Sequence, residues 1–151
     1  MIIYRNIDDL IKEATLARRT TVLETYRSIK CAFQAHETAK NAKPIDDVIE
    51  IEILKRLAKQ ALESAEIFKE NGRMDLYEKR MAEHYIIIGM LPQEPSDKEL
   101  IDFITSLARA EQNVSRKNMG AFIKATKEKY PTADGKKIST IVNEVILSVS
   151  Q

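Results

Sequence analysis

The side chains best suited to nucleophilic or metal chemistry are few and widely separated in this sequence. The chain has one cysteine, Cys31, and two histidines, His36 and His84. A Cys–His nucleophile needs both side chains to converge with a third group that orients the histidine. The sequence leaves open a convergence of Cys31 with His84. We nevertheless assign no catalytic residue, because a lone cysteine in a helix usually serves as a small apolar side chain.

Motifs that bind metals or nucleotides are also missing from the sequence. His36-Glu37 lacks the second histidine that completes a zinc-protease helix, and there is no Cys-x-x-Cys pair. The four glycines are isolated, so they cannot form a glycine-rich phosphate loop. We therefore expect no metal site and no cofactor, and we interpret the acidic residues of the middle of the chain as a solvated surface.

The segment from residue 116 to residue 137 carries the clearest functional signal. It contains 7 basic and 2 acidic residues, whereas the whole chain has 24 basic and 23 acidic residues. Arg116 and Lys117 fall at the start of one predicted helix, and Lys136 and Lys137 at the start of the next. Cations there oppose the helix dipole, but they favour an anion that the free backbone amides also attract. The pattern indicates a phosphate-binding surface, and a solvated basic surface is the alternative.

The elements that position these side chains are predicted to be helices throughout. Four glycines and four prolines in 151 residues argue against a turn-rich β protein. Thr21 and Glu24 have the capping-box spacing of a helix start. The residues that follow place apolar side chains on one helical stripe, formed by Val22, Tyr26, Ile29 and Phe33.

Two longer predicted helices follow, from about residue 46 to 71 and from about residue 75 onward. Gly72 stands between them, where a left-handed C-terminal cap is expected. So short a connection predicts an antiparallel helix pair. The apolar run from residue 85 to 91 could instead be a buried strand, but no second strand-like run exists to pair with its backbone.

The clearest interruption of the helical pattern is Pro92-Gln93-Glu94-Pro95, after which Ser96 and Glu99 form a new capping box. We place a domain boundary here. The predicted fold is all-α, with a helical N-terminal domain over residues 1–92 that contains the long antiparallel pair. A small three-helix C-terminal domain follows over residues 96–151.

The longest apolar run is far shorter than the roughly 20 residues that a membrane span requires. The N-terminus lacks the basic leader and apolar stretch of a secretory signal, and one cysteine cannot form an internal disulfide. These features predict a cytoplasmic protein without a membrane partner. The sequence does not indicate an oligomeric state.

Several motifs taken together resemble a known family. The C-terminal motifs resemble the tail domain of GatB, the B subunit of the tRNA-dependent amidotransferase, and equally its free-standing relatives, the YqeY-like proteins. These motifs are Arg116-Lys117-Asn118-Met119-Gly120, Lys124-Ala125-Thr126-Lys127, Ala133-Asp134-Gly135-Lys136-Lys137 and Val142-Asn143. Three upstream motifs agree with the YqeY-like proteins, namely Arg27-Ser28-Ile29-Lys30, Gly72-Arg73-Met74-Asp75-Leu76 and Leu91-Pro92-Gln93.

The resemblance implies a non-catalytic accessory protein that binds tRNA or another structured RNA, or that associates with a tRNA amidotransferase. We expect RNA phosphates to contact the basic C-terminal domain. The predicted RNA-binding residues are Arg116, Lys117, Asn118, Gly120, Lys124, Lys127, Lys136 and Lys137. One alternative is an adaptor that uses its helical hairpin to bind a protein partner. The family naming adds a third, a component of a carbon–nitrogen ligase with glutamine as amido-N-donor, although we expect no activity from this chain alone.

Overall fold

The computed structural model describes residues 2–150, and all regular structure in that range is helical, so the predicted all-α class is confirmed. Seven α-helices and one short 3-10 helix make up the described chain. In chain order they are α1 (Ile2–Leu16), α2 (Thr20–Thr38), α3 (Asp47–Glu70), α4 (Met74–Met90), α5 (Asp97–Ala110), the 3-10 helix (Arg116–Asn118), α6 (Met119–Lys129) and α7 (Gly135–Val149).

The helices pack as two compact units, Met1–Pro92 and Gln93–Gln151, each with its own apolar core. In the first unit, Ile29 and Phe33 of the predicted α2 stripe are 0% and 1% exposed. In the second unit, the side chains of Leu100 and Ile104 on α5 pack with Ile138 on α7. Burial of such side chains is the main favourable contribution to the stability of each unit.

The turn between α1 and α2 differs from the sequence prediction. Arg18 adopts a left-handed conformation with φ 55°, and the Arg19 N–H donates to the Ala14 carbonyl at 3.0 Å. Helix α2 therefore already begins at Thr20, and no side chain caps it. The predicted capping box of Thr21 and Glu24 was wrong, because the left-handed turn starts the helix two residues earlier than that motif requires. The Glu24 carboxylate instead pairs with Lys79 on α4 at 3.0 Å.

The connection between α3 and α4 follows the prediction. Gly72 has φ 72°, its N–H donates to the Lys69 carbonyl, and the Arg73 N–H donates to the Phe68 carbonyl at 2.8 Å. These two bonds form a Schellman motif, which needs a left-handed residue after the helix. The predicted role of Gly72 as a helix cap is confirmed.

The end of α3 meets the start of α4, and the middle of α3 meets a later part of α4. Lys69 lies over the Tyr77 ring with its Nζ 5.6 Å from the ring centroid, and the His84 ring bonds the Ala58 carbonyl at 2.8 Å. The two helices thus contact each other along much of their length, and both belong to the first unit.

We expect Gly72→Ala to lower the free energy of unfolding by about 1–2 kcal/mol, because a Cβ strains the left-handed conformation. Gly89→Ala is the matched control in the same unit, since Gly89 lies inside α4 and an added Cβ there meets no atom within 4 Å. The free energy of unfolding of this control should rise by about 0.5–1 kcal/mol, because alanine has a higher helix propensity than glycine. Urea titrations of the two variants check the prediction, which fails if both change stability in the same direction.

Candidate nucleic-acid interface

The basic segment begins with a short capped turn. The Ser115 hydroxyl accepts from the Lys117 N–H at 3.3 Å, and the Asn118 side-chain oxygen accepts from the Ser115 N–H at 2.9 Å. These bonds hold Arg116–Asn118 as a 3-10 helix, so that α6 begins only at Met119 and not, as the sequence predicted, with Arg116 and Lys117 at its start. Arg116 and Lys117 thus lie in the turn that leads into α6, and Asn118 positions the backbone that carries them.

One face of α6 is basic and exposed. Gly120, Lys124 and Lys127 follow one another at intervals of four and three residues, the spacing that aligns side chains on a helix, and Lys117 precedes them in the 3-10 helix. All four are exposed, whereas Phe122 on the other side is 4% exposed and packs into the core. Gly120 leaves a gap between two lysines in which an added Cβ would meet no atom within 4 Å.

The basic face of α6 continues to the start of α7. Lys127 lies against Gly135, because a Cβ built there would be 3.7 Å from the Lys127 Cε and Nζ atoms. Asp134 caps α7 by accepting from the Lys136 N–H at 3.0 Å, and the side chain of Lys136 is exposed. The ammonium of Lys127 therefore lies at the N-terminus of α7, the helix end that also carries Lys136 and is capped by the Asp134 carboxylate.

Most of these cations have no acidic partner. Five exposed basic side chains of the segment 116–137 form no ion pair within 4.0 Å with any residue of the described range. We call them the basic surface, and they are Arg116, Lys117, Lys124, Lys127 and Lys136. Cations without acidic neighbours are available to neutralise an external anion, since no internal pair has to be broken first.

Lys137 differs from the other predicted contacts. Its Nζ lies 2.8 Å from the Asp97 carboxylate, and both side chains are largely exposed, at 48% and 67%. The hydrogen bond and the negative charge of Asp97 raise the pKa of Lys137 above its usual value, with smaller contributions from Glu94 and Asp134. An ion pair this exposed is weak and readily exchanges partners.

The raised pKa of Lys137 predicts the direction of a pH effect. The ion pair stabilises the folded state fully below the pKa of an unfolded lysine, about 10.4, and this contribution disappears as pH rises through the higher folded value. Wild type should therefore melt slightly above Lys137→Gln at neutral pH, and the difference should vanish in strongly alkaline solution. Thermal unfolding of both proteins across that range checks it, and a difference that persists above the folded pKa would contradict it.

The aromatic side chains of this unit are occupied by internal contacts. Phe103 and Tyr130 pack edge to face with their centroids 5.8 Å apart, and the Lys129 Nζ lies 4.5 Å from the Phe103 centroid. Phe122 is buried in the core. Unpaired bases that stack on aromatic side chains need an open ring face. The site is therefore suited to contacts with phosphates rather than to base stacking.

The two histidines that the sequence offered for catalysis form hydrogen bonds to backbone carbonyls. The His36 ring bonds the Lys43 carbonyl at 2.8 Å, and the His84 ring bonds the Ala58 carbonyl. Cys31 is exposed. In the part of the chain that the structure describes, no three His, Cys, Asp or Glu side chains converge as a metal site.

The fold and the site define an all-helical protein of two units, the second of which carries a basic surface. The family model described as "Yqey-like protein" matches residues 4–146. Because the match spans nearly the whole chain, this protein belongs to the YqeY-like family, which confirms the resemblance to the YqeY-like proteins. No curated protein matches the chain. None of the helices in residues 2–150 is both long enough and apolar enough to cross a membrane.

Proposed function

We propose that this protein is a non-catalytic accessory factor that binds structured RNA, with tRNA as the expected ligand, through the basic surface of its second unit. The observation that carries the proposal is the set of five exposed cations without acidic partners, defined above as the basic surface. Phosphate groups dominate the affinity of proteins for nucleic acids, and cations that neutralise them release counterions.

The arrangement of these residues supports contact with a phosphate backbone. Lys124 and Lys127 lie along one face of α6, Lys117 lies in the 3-10 helix before it, and Lys127 contacts the start of α7, where Lys136 lies. Because Gly120 has no side chain, an RNA strand can approach the helix backbone closely between two cations. RNA helices are recognised mainly by shape, by ribose hydroxyls and by phosphates. A surface of this kind therefore needs no open aromatic ring.

The experiment that tests this function is a titration of fluorescently labelled tRNA with the full-length protein at several salt concentrations. If about four phosphates are engaged, log K should fall with log salt with a slope of roughly −3 to −4. A uridine homopolymer of similar length is the comparison, and it should bind more weakly because it lacks the shape of a structured RNA. No tRNA binding at about 50 mM salt, where such contacts are strong, would exclude the proposal.

The carboxylate of Asp134 should oppose an RNA phosphate at the start of α7. Asp134→Asn keeps an oxygen that can cap the Lys136 N–H, because asparagine caps helices about as well as aspartate. We expect tRNA affinity to rise a few-fold at low salt, since one negative charge is removed next to Lys127 and Lys136. Glu144→Gln makes the same charge change at an exposed position on α7 distant in sequence from this cap, and it should change affinity less. Equal effects of both substitutions on tRNA affinity would show that the affinity depends on net charge alone and not on the position of Asp134.

A second candidate function is a protein-interaction adaptor, and exposed apolar residues on α4 favour it. Tyr85 is 64% exposed and Ile88, three residues later on the same helix, is 45% exposed. Neighbouring exposed apolar side chains are typical of interfaces. Light scattering during size exclusion tests self-association through this face. If wild type is a dimer and Tyr85→Glu is a monomer, the result supports the adaptor function. If wild type is a strict monomer, this face does not mediate self-association.

A further inference from the structure

A cleft with polar and apolar walls lies between α2, α3 and α4 of the first unit, its apolar lining formed by Leu57, Ala61 and Ile87. Ser28 lines it from α2, Gln60 and Ser64 line it from α3, and Arg80 and Glu83 line it from α4. Its volume is about 210 Å³. Pockets for drug-sized ligands measure about 300–1,000 Å³. The cleft therefore has room for a ligand of only a few heavy atoms.

Glu83 is a buried acid inside this cleft. Only 10% of its side chain is exposed, against 45% for Arg80, whose Nη1 donates to Glu83 Oε2 at 2.7 Å. Burial of an ion pair costs free energy that apolar packing would not, so such a pair does little for stability. Among residues 2–150, the second oxygen, Oε1, accepts no hydrogen bond. The carboxylate thus retains an acceptor that a ligand in the cleft can use.

Other polar groups on the walls are also available. Thr25 donates its hydroxyl to the carbonyl one turn earlier at 2.8 Å, a bond that helix hydroxyls commonly form. The side chains of Ser28, Gln60 and Ser64 form no hydrogen bond with any residue of the described range. Ser28 belongs to the Arg27-Ser28-Ile29-Lys30 motif, which the basic surface does not use. Hydroxyl and amide groups from two helices therefore face the cleft together with the ion pair.

We infer that this cleft binds a small zwitterion with adjacent ammonium and carboxylate groups, the head group of a free α-amino acid. The guanidinium of Arg80 has five N–H donors. One of them donates to Glu83, so that others can bind a ligand carboxylate. Glu83 Oε1 accepts from the ligand ammonium. A ligand with one charge would satisfy only one half of the pair, whereas a zwitterion matches both signs and leaves the cleft neutral. The site is separate from the basic surface and does not depend on RNA binding.

The test is a nuclear magnetic resonance titration of the ¹⁵N-labelled full-length protein with glycine. Acetate and methylammonium serve as probes that each carry one half of its charge. Glycine should give saturable shifts at the backbone amides of Ser28, Ser64 and Glu83, with affinity at least tenfold above either singly charged probe. Absence of saturable shifts up to about 50 mM, well beyond a weak Kd of roughly 1 mM, would overturn the proposal. Equal affinity for acetate or for methylammonium would also overturn it.

Two substitutions separate the ligand site from a structural role. Glu83→Gln removes the charge, and Ser64→Leu fills the cleft without changing any charge. Each should weaken glycine binding at least tenfold while the helical circular dichroism is retained. The double variant Lys59→Gln with Glu63→Gln, which removes an exposed pair on α3 outside the cleft lining, is the control and should bind as wild type. Unchanged binding in folded Ser64→Leu would contradict the site, even if Glu83→Gln failed to fold.

Discussion

Reversal of two charges on α6, Lys124→Glu with Lys127→Glu, is expected to lower the affinity for tRNA by about 100-fold or more at low salt. Hydrogen bonds to charged groups contribute about 1.5–3 kcal/mol each, and 1.4 kcal/mol corresponds to a tenfold change in Kd. Both side chains are exposed and neither touches the core, so the fold should be retained. Fluorescence anisotropy of labelled tRNA measures the change, and circular dichroism checks the fold.

The control for this variant makes the same charge change elsewhere in the chain. Lys40 and Lys43 are exposed, three residues apart like the α6 pair, and lie in the connection between α2 and α3. Lys40→Glu with Lys43→Glu alters net charge by the same amount, so it should reduce affinity much less than the α6 variant. If the two double variants lost affinity equally, binding would reflect overall charge rather than the basic surface.

The largest effect on stability is expected from Phe33→Ala in the first unit. Phe33 is 1% exposed and packs edge to face with Tyr4, their centroids 5.3 Å apart. Removal of a buried phenylalanine leaves a cavity and costs about 3–5 kcal/mol. Denaturant unfolding followed by circular dichroism should show this loss in the transition that belongs to the first unit. Tyr85→Ala is the exposed aromatic control and should stay within about 0.5 kcal/mol of wild type. A Phe33→Ala loss as small as that would show that Phe33 is not a core residue.

Sequence reasoning succeeded where the cause of a structure is local. The Ser96–Glu99 capping box forms as predicted, since its four residues supply both hydrogen bonds themselves. Gly72 was found for a similar reason, because few other residues tolerate a positive φ. Thr21 and Glu24 have the same local pattern, but the turn at Arg18 starts α2 earlier, and Lys79 from a distant helix engages Glu24. In that case a neighbouring left-handed turn and a contact with a distant helix replaced the predicted capping box.

The candidate site likewise combines local features that the sequence reveals with long-range contacts that it does not. The density of basic residues between positions 116 and 137 is visible in the sequence, and so is the Ser115-x-x-Asn118 spacing that caps the 3-10 helix, although sequence reasoning missed it. The pairing of Lys137 with Asp97 and the packing of Lys129 over Phe103 join residues far apart along the chain. No local pattern reveals such contacts, because they depend on how α5 packs against the other helices.

The most direct test of the proposed function is the salt dependence of tRNA binding by wild type and by Lys124→Met with Lys127→Met. Each phosphate contact contributes roughly 0.7–0.9 to the slope of log K against log salt. If both lysines neutralise phosphates, the slope of the variant should be smaller in magnitude by about 1.4–1.8. Identical slopes for the two proteins would contradict the account, since they would show that RNA does not rest on the basic surface.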